Sequence, residues 1–405
     1  MSQSGTLILI MAVAVIAPLL AYGLGRWIPV PLVIFEIVLG IVIGPDVLGV
    51  AHHDATINVL SDLGLSMLIF LAGYEIEFAT VRGDTLRRSV WAWLAALVLG
   101  LGIAFALNGG AVTKSFVIGT ALTSTALGTV LPILRDSGDL KGRFGTVMMA
   151  FGAVGEFGPI IAMTLLLGGS DPGRSTALLA AFAAVTAGAV FWALRPRPPW
   201  FANVIAKTLH SSAQFAVRFV MLLLAAMLGL SYAFGLDTLL GAFAAGLLTR
   251  LVLQGAAPES SELVLGKIEA MGFGFLVPVF FIVTGIDFDL NALLHGGRAL
   301  ILLPAFLLLF LVVRGLPVYA LAPHDLGRRD RTALMLYNST ALPLVVAITT
   351  IGLDEGALTA GEAAALVGAG MVSVLVFPLL ALRLRAGSGS EVNPPTRPMH
   401  RTESW

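Results

Sequence analysis

Long apolar segments recur along almost the whole of this 405-residue chain. Apolar residues make up 58% of the sequence, charged residues only 12%, and the mean hydropathy is +0.94. A soluble surface would need about twice that share of charge, so most of the chain must lie in lipid. The formal net charge is zero, which gives no indication of a nucleic-acid partner. The chain has no cysteine, which excludes disulfides and thiolate metal sites.

A window of about 20 residues, the length that crosses a bilayer as a helix, predicts thirteen transmembrane spans. Their approximate limits are 6–23, 29–44, 58–73, 89–107, 115–134, 144–168, 176–194, 213–231, 236–253, 271–286, 299–321, 332–352 and 362–382. The first span is expected to be retained, because no positive residue precedes it and it lacks a small-residue cleavage site. The sequence therefore predicts an all-α polytopic membrane protein whose termini lie on opposite sides of the membrane.

The 24 Lys and Arg residues test this arrangement independently. With the N-terminus outside, the predicted cytoplasmic loops and tail hold 19 of them, the outer loops hold three, and two lie within spans. Cytoplasmic loops of membrane proteins carry an excess of Lys and Arg, so we expect an outer N-terminus and a cytoplasmic C-terminus. Residues 1–385 are expected to form the transmembrane domain, and residues 386–405 a disordered cytoplasmic tail.

Two nearly identical polar motifs interrupt apolar segments about half a chain apart. They are Thr-Ser-Thr-Ala-Leu at 123–127, in span 5, and Asn-Ser-Thr-Ala-Leu at 338–342, in span 12. Each is followed by a proline, Pro132 and Pro343. A duplicated polar interruption of membrane helices is typical of a binding site in a secondary transporter. The alternative interpretation is that these hydroxyl groups only form hydrogen bonds with neighbouring helices.

The thirteen spans divide as six, one and six, which predicts two six-helix repeats at about 5–168 and 213–383, joined by a linker helix at 176–194. Each motif then lies in the fifth span of its repeat, and the two repeats enter the membrane from opposite faces. This inverted topology predicts two broken helices that cross near the middle of the membrane and present helix ends to a solute.

Glu156 is the most informative single residue. It lies in the segment Phe-Gly-Ala-Val-Gly-Glu-Phe-Gly-Pro at 151–159, about 12 residues or roughly 18 Å from the cytoplasmic end of span 6. An ionised carboxylate at that depth is costly, so it must be protonated, paired or bound to a cation. Competition between a proton and a cation for one site is the minimum machinery of exchange. The alternative is a permanently protonated carboxyl hydrogen-bonded between helices.

Three further acidic or basic residues are candidates. Arg314 in span 11 lies roughly 12 Å from the cytoplasmic end, where it could snorkel, pair with a carboxylate or compensate the charge of helix ends. Glu36 in span 2 could face a cavity or a helix interface. Asp287 at the outer end of span 10 could line a funnel or only mark the interface.

Further landmarks occur in order along the chain: FEIVLGIVIGP at 35–45, FLAGYE at 70–75, ALTSTA at 121–126, GRF at 142–144, FFIVTG at 280–285, and Arg314. Together they resemble the membrane domain of the monovalent cation:proton antiporters, especially the branch of bacterial sodium/proton exchangers and potassium efflux systems. Their order and spacing extend over residues 5–385. The resemblance implies a sodium/proton antiporter-like fold, and a bacterial plasma membrane as the location.

The resemblance also implies roles for particular residues. Family members carry two acids, or an Asn or Gln before one acid, where this chain has Gly155 and Glu156. They carry a Lys or Arg at the place of Arg314. The broken helices make Ser124, Thr125, Asn338 and Ser339 candidate ion ligands or helix-end partners, with Thr123 and Thr340 as weaker candidates beside them.

We therefore expect a secondary active transporter that exchanges Na⁺ or K⁺ for protons by alternating access, with Glu156 as the shared binding site for both. Because Arg314 cannot release a proton, only Glu156 exchanges one, and the exchange is expected to be electroneutral. The resemblance further implies a homodimer in the lipid bilayer. The alternatives are an organic-anion symporter of related fold, a cation channel, or a membrane sensor that transports nothing. An enzyme or a bound cofactor is not expected, because the sequence holds no nucleophile and base pair, intramembrane metal cluster or phosphate-binding loop.

Overall fold

The computed structural model describes residues 3–25, 30–51, 55–75, 83–140, 142–167, 172–193, 207–208, 214–253, 258–295 and 297–386. These ranges fold into helices, with no strand among them. The predicted tail, apart from Ala386, lies outside the described residues.

The helices follow one another along the chain, and two pairs of them are each continuous across a π-helical turn. They are α1 (Gln3–Gly25), α2 (Leu32–Ile43), α3 (Ala55–Glu75), α4 (Asp84–Leu107), α5 (Val112–Ala121), α6 (Leu127–Asp136), α7 (Arg143–Leu167), α8 (Pro172–Ala193), α9 (Phe215–Ala233), α10 (Thr238–Leu253), α11 (Pro258–Met271), a π turn (Gly272–Leu276), α12 (Val277–Ile286), α13 (Leu290–His295), α14 (Arg298–Leu309), a second π turn (Phe310–Gly315), α15 (Leu316–Leu321), α16 (Arg328–Asn338), α17 (Pro343–Asp354) and α18 (Ala360–Ala386).

The prediction of an all-α polytopic membrane protein is confirmed. Within the described ranges, nine helical segments are long and apolar enough to cross a membrane, and α2, α8 and α10 contribute three shorter apolar helices. The remaining predicted span is the broken pair α5 and α6. The helix of the tenth span begins at Pro258 and its apolar span at Ser261, rather than near residue 271. The charged residues of α11, such as Glu262 and Lys267, lower the hydropathy of its first half.

Two interrupted helices cross in the structure, as the duplicated motifs predict. One break separates α5 from α6 and the other separates α16 from α17. The backbone N–H of Ala126 donates a hydrogen bond of 2.7 Å to the carbonyl oxygen of Thr340. Pro343 occupies the first turn of α17, where its missing N–H costs nothing. The backbone at one break is thus hydrogen-bonded to the backbone at the other. The limits of the two repeats stay a prediction.

The helices form two groups. In the first, here named the frame bundle, α1–α3 and α9–α12 pack mainly against one another. In the second, here named the site bundle, α4–α7 and α14–α18 pack mainly against one another. The two groups meet where α6 lies against α3, where α7 lies against α10 and where α18 lies against α2.

Close contacts between backbones hold the frame bundle together. A Cβ atom added at Gly246 of α10 would overlap the carbonyl oxygen of Phe70 in α3. One added at Gly73 of α3 would lie 2.5 Å from the carbonyl oxygen of Phe243 in α10. Because the hydrophobic effect between helices vanishes in lipid, such small-residue contacts supply the packing energy.

We expect Gly246→Ala to lower the free energy of unfolding by about 1–3 kcal/mol, the usual cost of overpacking a tight interface. Tryptophan fluorescence during heating of the detergent-solubilised protein measures the change. Gly229→Ala is the matched control, because a Cβ atom at that helical glycine meets no atom within 4 Å. Equal unfolding temperatures for the two variants would contradict the proposed packing.

Candidate functional site

Glu156 lies near the middle of α7, at the point where the chain of α6 begins. Its side chain is 1% exposed. The carboxyl accepts hydrogen bonds from the backbone N–H groups of Leu127 and Gly128, the first two residues of α6. The free N–H groups and positive dipole end of a helix favour an anion there. The break between α5 and α6 therefore creates a binding place for a carboxylate inside the membrane protein.

One carboxyl oxygen of Glu156 is left without a protein partner. Within the described residues, Oε2 is buried and accepts no hydrogen bond. A buried acceptor without a partner is costly. A cation at this oxygen would supply the missing partner.

Arg314 is completely buried in the π turn between α14 and α15. Its Nε donates to Thr125 Oγ1 at 2.9 Å, and its Nη2 donates to the carbonyl oxygen of Phe151 at 2.7 Å and to Asn338 Oδ1 at 3.2 Å. Its Nη1 has no hydrogen-bond partner in the described part of the chain. Neutral oxygens therefore surround this guanidinium, and no carboxylate of the described residues forms an ion pair with it.

The arginine lies at the end of an interrupted helix. Thr125 Oγ1, which accepts from Arg314, donates a 2.7 Å hydrogen bond to the carbonyl oxygen of Asn338. Asn338 is the last residue of α16, and the C-terminal end of a helix carries partial negative charge. Of the roles expected for Arg314, compensation of a helix end fits these contacts best.

Gly155 makes room for the guanidinium. A Cβ atom at this position would overlap Arg314 Nη2 and would lie 2.7 Å from its Cζ. The same atom would overlap Thr125 Oγ1. Arg314 thus occupies the space that a side chain at position 155 would need.

The two neighbouring glycines on α7 are also in close contact. A Cβ atom at Gly152 would lie 2.7 Å from Leu127 Cδ1, and one at Gly158 would overlap the ring of Trp93. Side chains from α6 and α4 therefore cover these two glycines.

The other hydroxyl groups of the two motifs bond to their own helices. The bonds are Thr123 Oγ1 to Thr120 at 2.8 Å, Ser124 Oγ to Ala121 at 2.7 Å, Ser339 Oγ to Met335 at 2.8 Å, and Thr340 Oγ1 to Leu336 at 3.2 Å, each with a backbone carbonyl oxygen as the acceptor. Each hydroxyl oxygen keeps lone pairs that could coordinate a cation. Their role as ion ligands stays a prediction, whereas Thr125 and Asn338 are brought directly to Arg314.

Two cavities of the described structure touch α3 at different points, one at Leu68 and the other along Asn58, Ser61, Asp62 and Leu65. The first, here named the Glu36 cavity, has a volume of about 720 Å³ and is lined by Glu36, Leu68, Gly128, Thr129, Arg135 and Glu269, among others. The second, here named the acidic cavity, has a volume of about 620 Å³ and is lined by Asp62, Asp237, Asp287 and Asp289, among others. Gly128, whose N–H binds Glu156, lines the Glu36 cavity, so this cavity reaches the turn that holds the carboxyl.

The remaining sequence candidates lie away from Glu156 itself. Glu36 is 3% exposed and faces its cavity, while Asp287 is exposed and lines the acidic cavity. The backbone groups of Leu127, Gly128 and Phe151 were not predicted, because a backbone N–H or carbonyl leaves no sequence signal. The only available hint was the position of the helix break.

Comparison with known proteins finds one family whose description matches almost the whole chain. The family described as sodium/hydrogen exchanger, transmembrane, matches residues 11–382. YjbQ of Bacillus subtilis strain 168, named as a candidate Na⁺/H⁺ antiporter, is 26% identical over 400 residues, which cover 94% of this chain and 62% of YjbQ. The Na⁺/H⁺-K⁺ antiporter GerN of Bacillus cereus is 24% identical over 279 residues, which cover 65% of this chain and 67% of GerN. This chain thus spans less than two thirds of the length of YjbQ.

A solved structure shares the fold. The sodium proton antiporter MjNhaP1 from Methanocaldococcus jannaschii aligns with a TM-score of 0.65 and 16% identity, over 96% of this chain and 98% of that one. The resemblance found in the sequence is confirmed, and the relatives are transporters rather than enzymes. This chain belongs to the transmembrane sodium/hydrogen exchanger family.

Proposed function

We propose that this protein exchanges Na⁺ or K⁺ for protons by alternating access, one cation for one proton, with Glu156 as the shared site. The observation that carries the proposal is the buried carboxyl of Glu156, held at the first turn of α6 with one oxygen unpartnered. Membership of the exchanger family supports the class of cargo.

The exchange follows from the cost of burying a charge. With a proton bound, the carboxyl is neutral and tolerates its buried site; without one, it needs a cation. The two N–H groups of α6 hold one face of the carboxyl in either state. Hydroxyl and backbone oxygens of Ser124, Ser339 and their neighbours would complete the shell around the cation, because oxygen ligands suit hard cations.

Arg314 supplies a fixed charge rather than an exchangeable proton. Its guanidinium stays protonated under physiological conditions, and it binds neutral oxygens of Thr125, Phe151 and Asn338. With a single carboxyl carrying the exchangeable charge, the loaded site has the same net charge with either cargo. This is the reason for proposing electroneutral exchange.

Alternating access would move the site bundle against the frame bundle. The two cavities support this motion, because the Glu36 cavity reaches the first turn of α6 at Gly128, whereas the acidic cavity has no lining residue from α6. Arg135 of the site bundle forms ion pairs with Glu75 at 2.5 Å and Glu269 at 3.4 Å, both in the frame bundle. These contacts would have to break when α6 moves.

The setting is proposed to be the plasma membrane of a bacterium, with the N-terminus outside and the C-terminus cytoplasmic. The distribution of Lys and Arg supports this orientation. It makes the Glu36 cavity the cytoplasmic entrance. We also propose a homodimer in the lipid bilayer, by analogy with the family.

The alternative functions differ in what drives them. A cation channel would need a continuous path, whereas Glu156 is 1% exposed and the two described cavities lie apart. An organic-anion symporter would respond to an organic solute and not to Na⁺ or K⁺. A sensor would tolerate the loss of the carboxyl.

We expect Glu156→Gln to abolish transport, because an amide can neither release a proton nor carry the charge that binds a cation. Vesicles holding a proton gradient and a pH dye measure this, with Na⁺, K⁺ or choline added separately. Collapse of the gradient in the wild type, absent from the variant, is the expected result.

Glu262→Gln is the matched control, because that carboxyl is exposed on α11. It should exchange at the wild-type rate. A Glu156→Gln variant that is folded and active would overturn the proposed site, and an unresponsive wild type would overturn the proposed cargo.

We expect the rate of exchange to be independent of the membrane potential, because one charge crosses in each direction. Clamping the vesicles at different potentials with an ionophore for an ion that is not transported tests this. An increase of the rate with potential would contradict electroneutral exchange.

We expect Gly155→Ala to reduce transport at least about tenfold, because the new methyl group overlaps the Arg314 guanidinium and a small misplacement of site groups is costly. Gly188→Ala is the control, since its Cβ atom meets nothing within 4 Å. Wild-type rates in Gly155→Ala would show that the position of Arg314 is immaterial to transport.

A further inference from the structure

Glu36 is a second buried carboxyl, on a different bundle from Glu156. It lies on the face of α2 that also carries Val33, Ile37 and Gly40. A Cβ atom at Gly40 would overlap the backbone of α12 at Ile282, so α2 cannot rotate freely about its axis. The side chain of Glu36 is therefore held in the wall of the Glu36 cavity, with 3% exposure.

Glu36 has no hydrogen bond and no ion pair with any residue in the described ranges. A carboxyl in that state is neutral unless a cation comes to it. It is thus free to serve an ion that enters the cavity.

The charged groups around this cavity are engaged elsewhere. Arg135 and Glu269, which also line it, bind each other at 3.4 Å at the meeting point of α6 and α11. The described part of α12 has no titratable residue, and Tyr22 of α1 is 81% exposed.

On α18, Arg385 pairs with Asp139 and Asp330, while Arg383 is exposed. At the other end of α18, Glu362 pairs with Lys114.

The cavity connects Glu36 to the turn that holds Glu156. Its lining includes Val33 and Glu36 from α2 and Gly128 and Thr129 from the first turn of α6. The N–H of Gly128 binds the Glu156 carboxyl. An ion that moves from the open end of this cavity towards Glu156 therefore passes a wall that carries the Glu36 carboxyl.

We propose that Glu36 is a second proton-binding carboxyl on the path of the transported cation, where an entering cation replaces its proton and a departing cation restores it. The inference rests on the proposed exchange function. The step conserves atoms and charge: the O–H bond of the carboxyl breaks, the proton passes to water in the cavity, and the cation takes its place at the carboxylate. The reverse step consumes a proton from the same water, so Glu36 adds nothing to the net stoichiometry.

The position of Glu36 in the frame bundle predicts an asymmetry. Glu36 would not travel with Glu156, so it serves the cation only when the site bundle is joined to the Glu36 cavity. A change at Glu36 should therefore alter the apparent cation affinity on one side of the membrane and leave the other side unchanged.

We expect Glu36→Gln to raise the apparent KM for Na⁺ or K⁺ about fivefold or more on the cavity side, with kcat largely kept. Uniformly oriented vesicles, assayed with the cation on either side, measure this. Glu36→Asp should restore most of the affinity, and Glu262→Gln should match the wild type. A wild type that exchanges cations, together with a Glu36→Gln variant whose KM is unchanged on both sides, overturns this inference alone. A wild type that responds to no cation overturns the proposed function.

Labelling with dicyclohexylcarbodiimide gives a readout that does not depend on flux. This apolar reagent modifies protonated carboxyl groups in membrane proteins. Mass spectrometry of the wild type should find an adduct on Glu36 in choline chloride and less of it in NaCl or KCl. The absence of an adduct, or an adduct that neither cation reduces, would refute a proton and cation exchange at Glu36.

Discussion

The contact between the Glu156 carboxyl and the first turn of α6 is the interaction on which the rest of this site depends. Two backbone N–H groups can meet the carboxyl because α5 and α6 are separated by five non-helical residues. An uninterrupted span would have spent those N–H groups on its own preceding turn. The same break would leave backbone groups unsatisfied in the membrane, and the crossing with the second break supplies their partners, as in the bond from Ala126 to Thr340.

The second buried charge is balanced in a different way. Arg314 is surrounded by a hydroxyl, an amide oxygen and a carbonyl oxygen instead of a carboxylate. Gly155 and the π turn at Phe310–Gly315 together allow its guanidinium to reach these groups, and π turns are frequent at functional sites. Because Arg314 is occupied by neutral oxygens, it forms no ion pair with the Glu156 carboxyl.

Hydropathy was enough to predict the spans, since burial in lipid demands long apolar segments. Duplication of the polar motif was enough to predict both helix breaks. Depth in the membrane predicted that Glu156 is buried, while its role in exchange stays a proposal. The start of α11 could not be predicted, because its charged residues resemble those of a loop. The partners of Glu156 could not be predicted either, because a backbone N–H group leaves no signal in the sequence. The side chains that fill the space beside Gly155 could not be predicted, because they come from distant parts of the chain.

Proton release on cation binding tests the central claim most directly. Isothermal titration of the solubilised protein with NaCl or KCl, in buffers of different ionisation enthalpy, counts the protons released. Glu36→Gln serves as the background, because it removes the second proposed proton-binding carboxyl. If proton and cation compete for Glu156, this background should release about one proton per bound cation at a pH where the empty site is protonated, and adding Glu156→Gln should abolish the release. Cation binding without proton release in the Glu36→Gln background, or an unchanged release after Glu156→Gln is added, would contradict a shared site at Glu156.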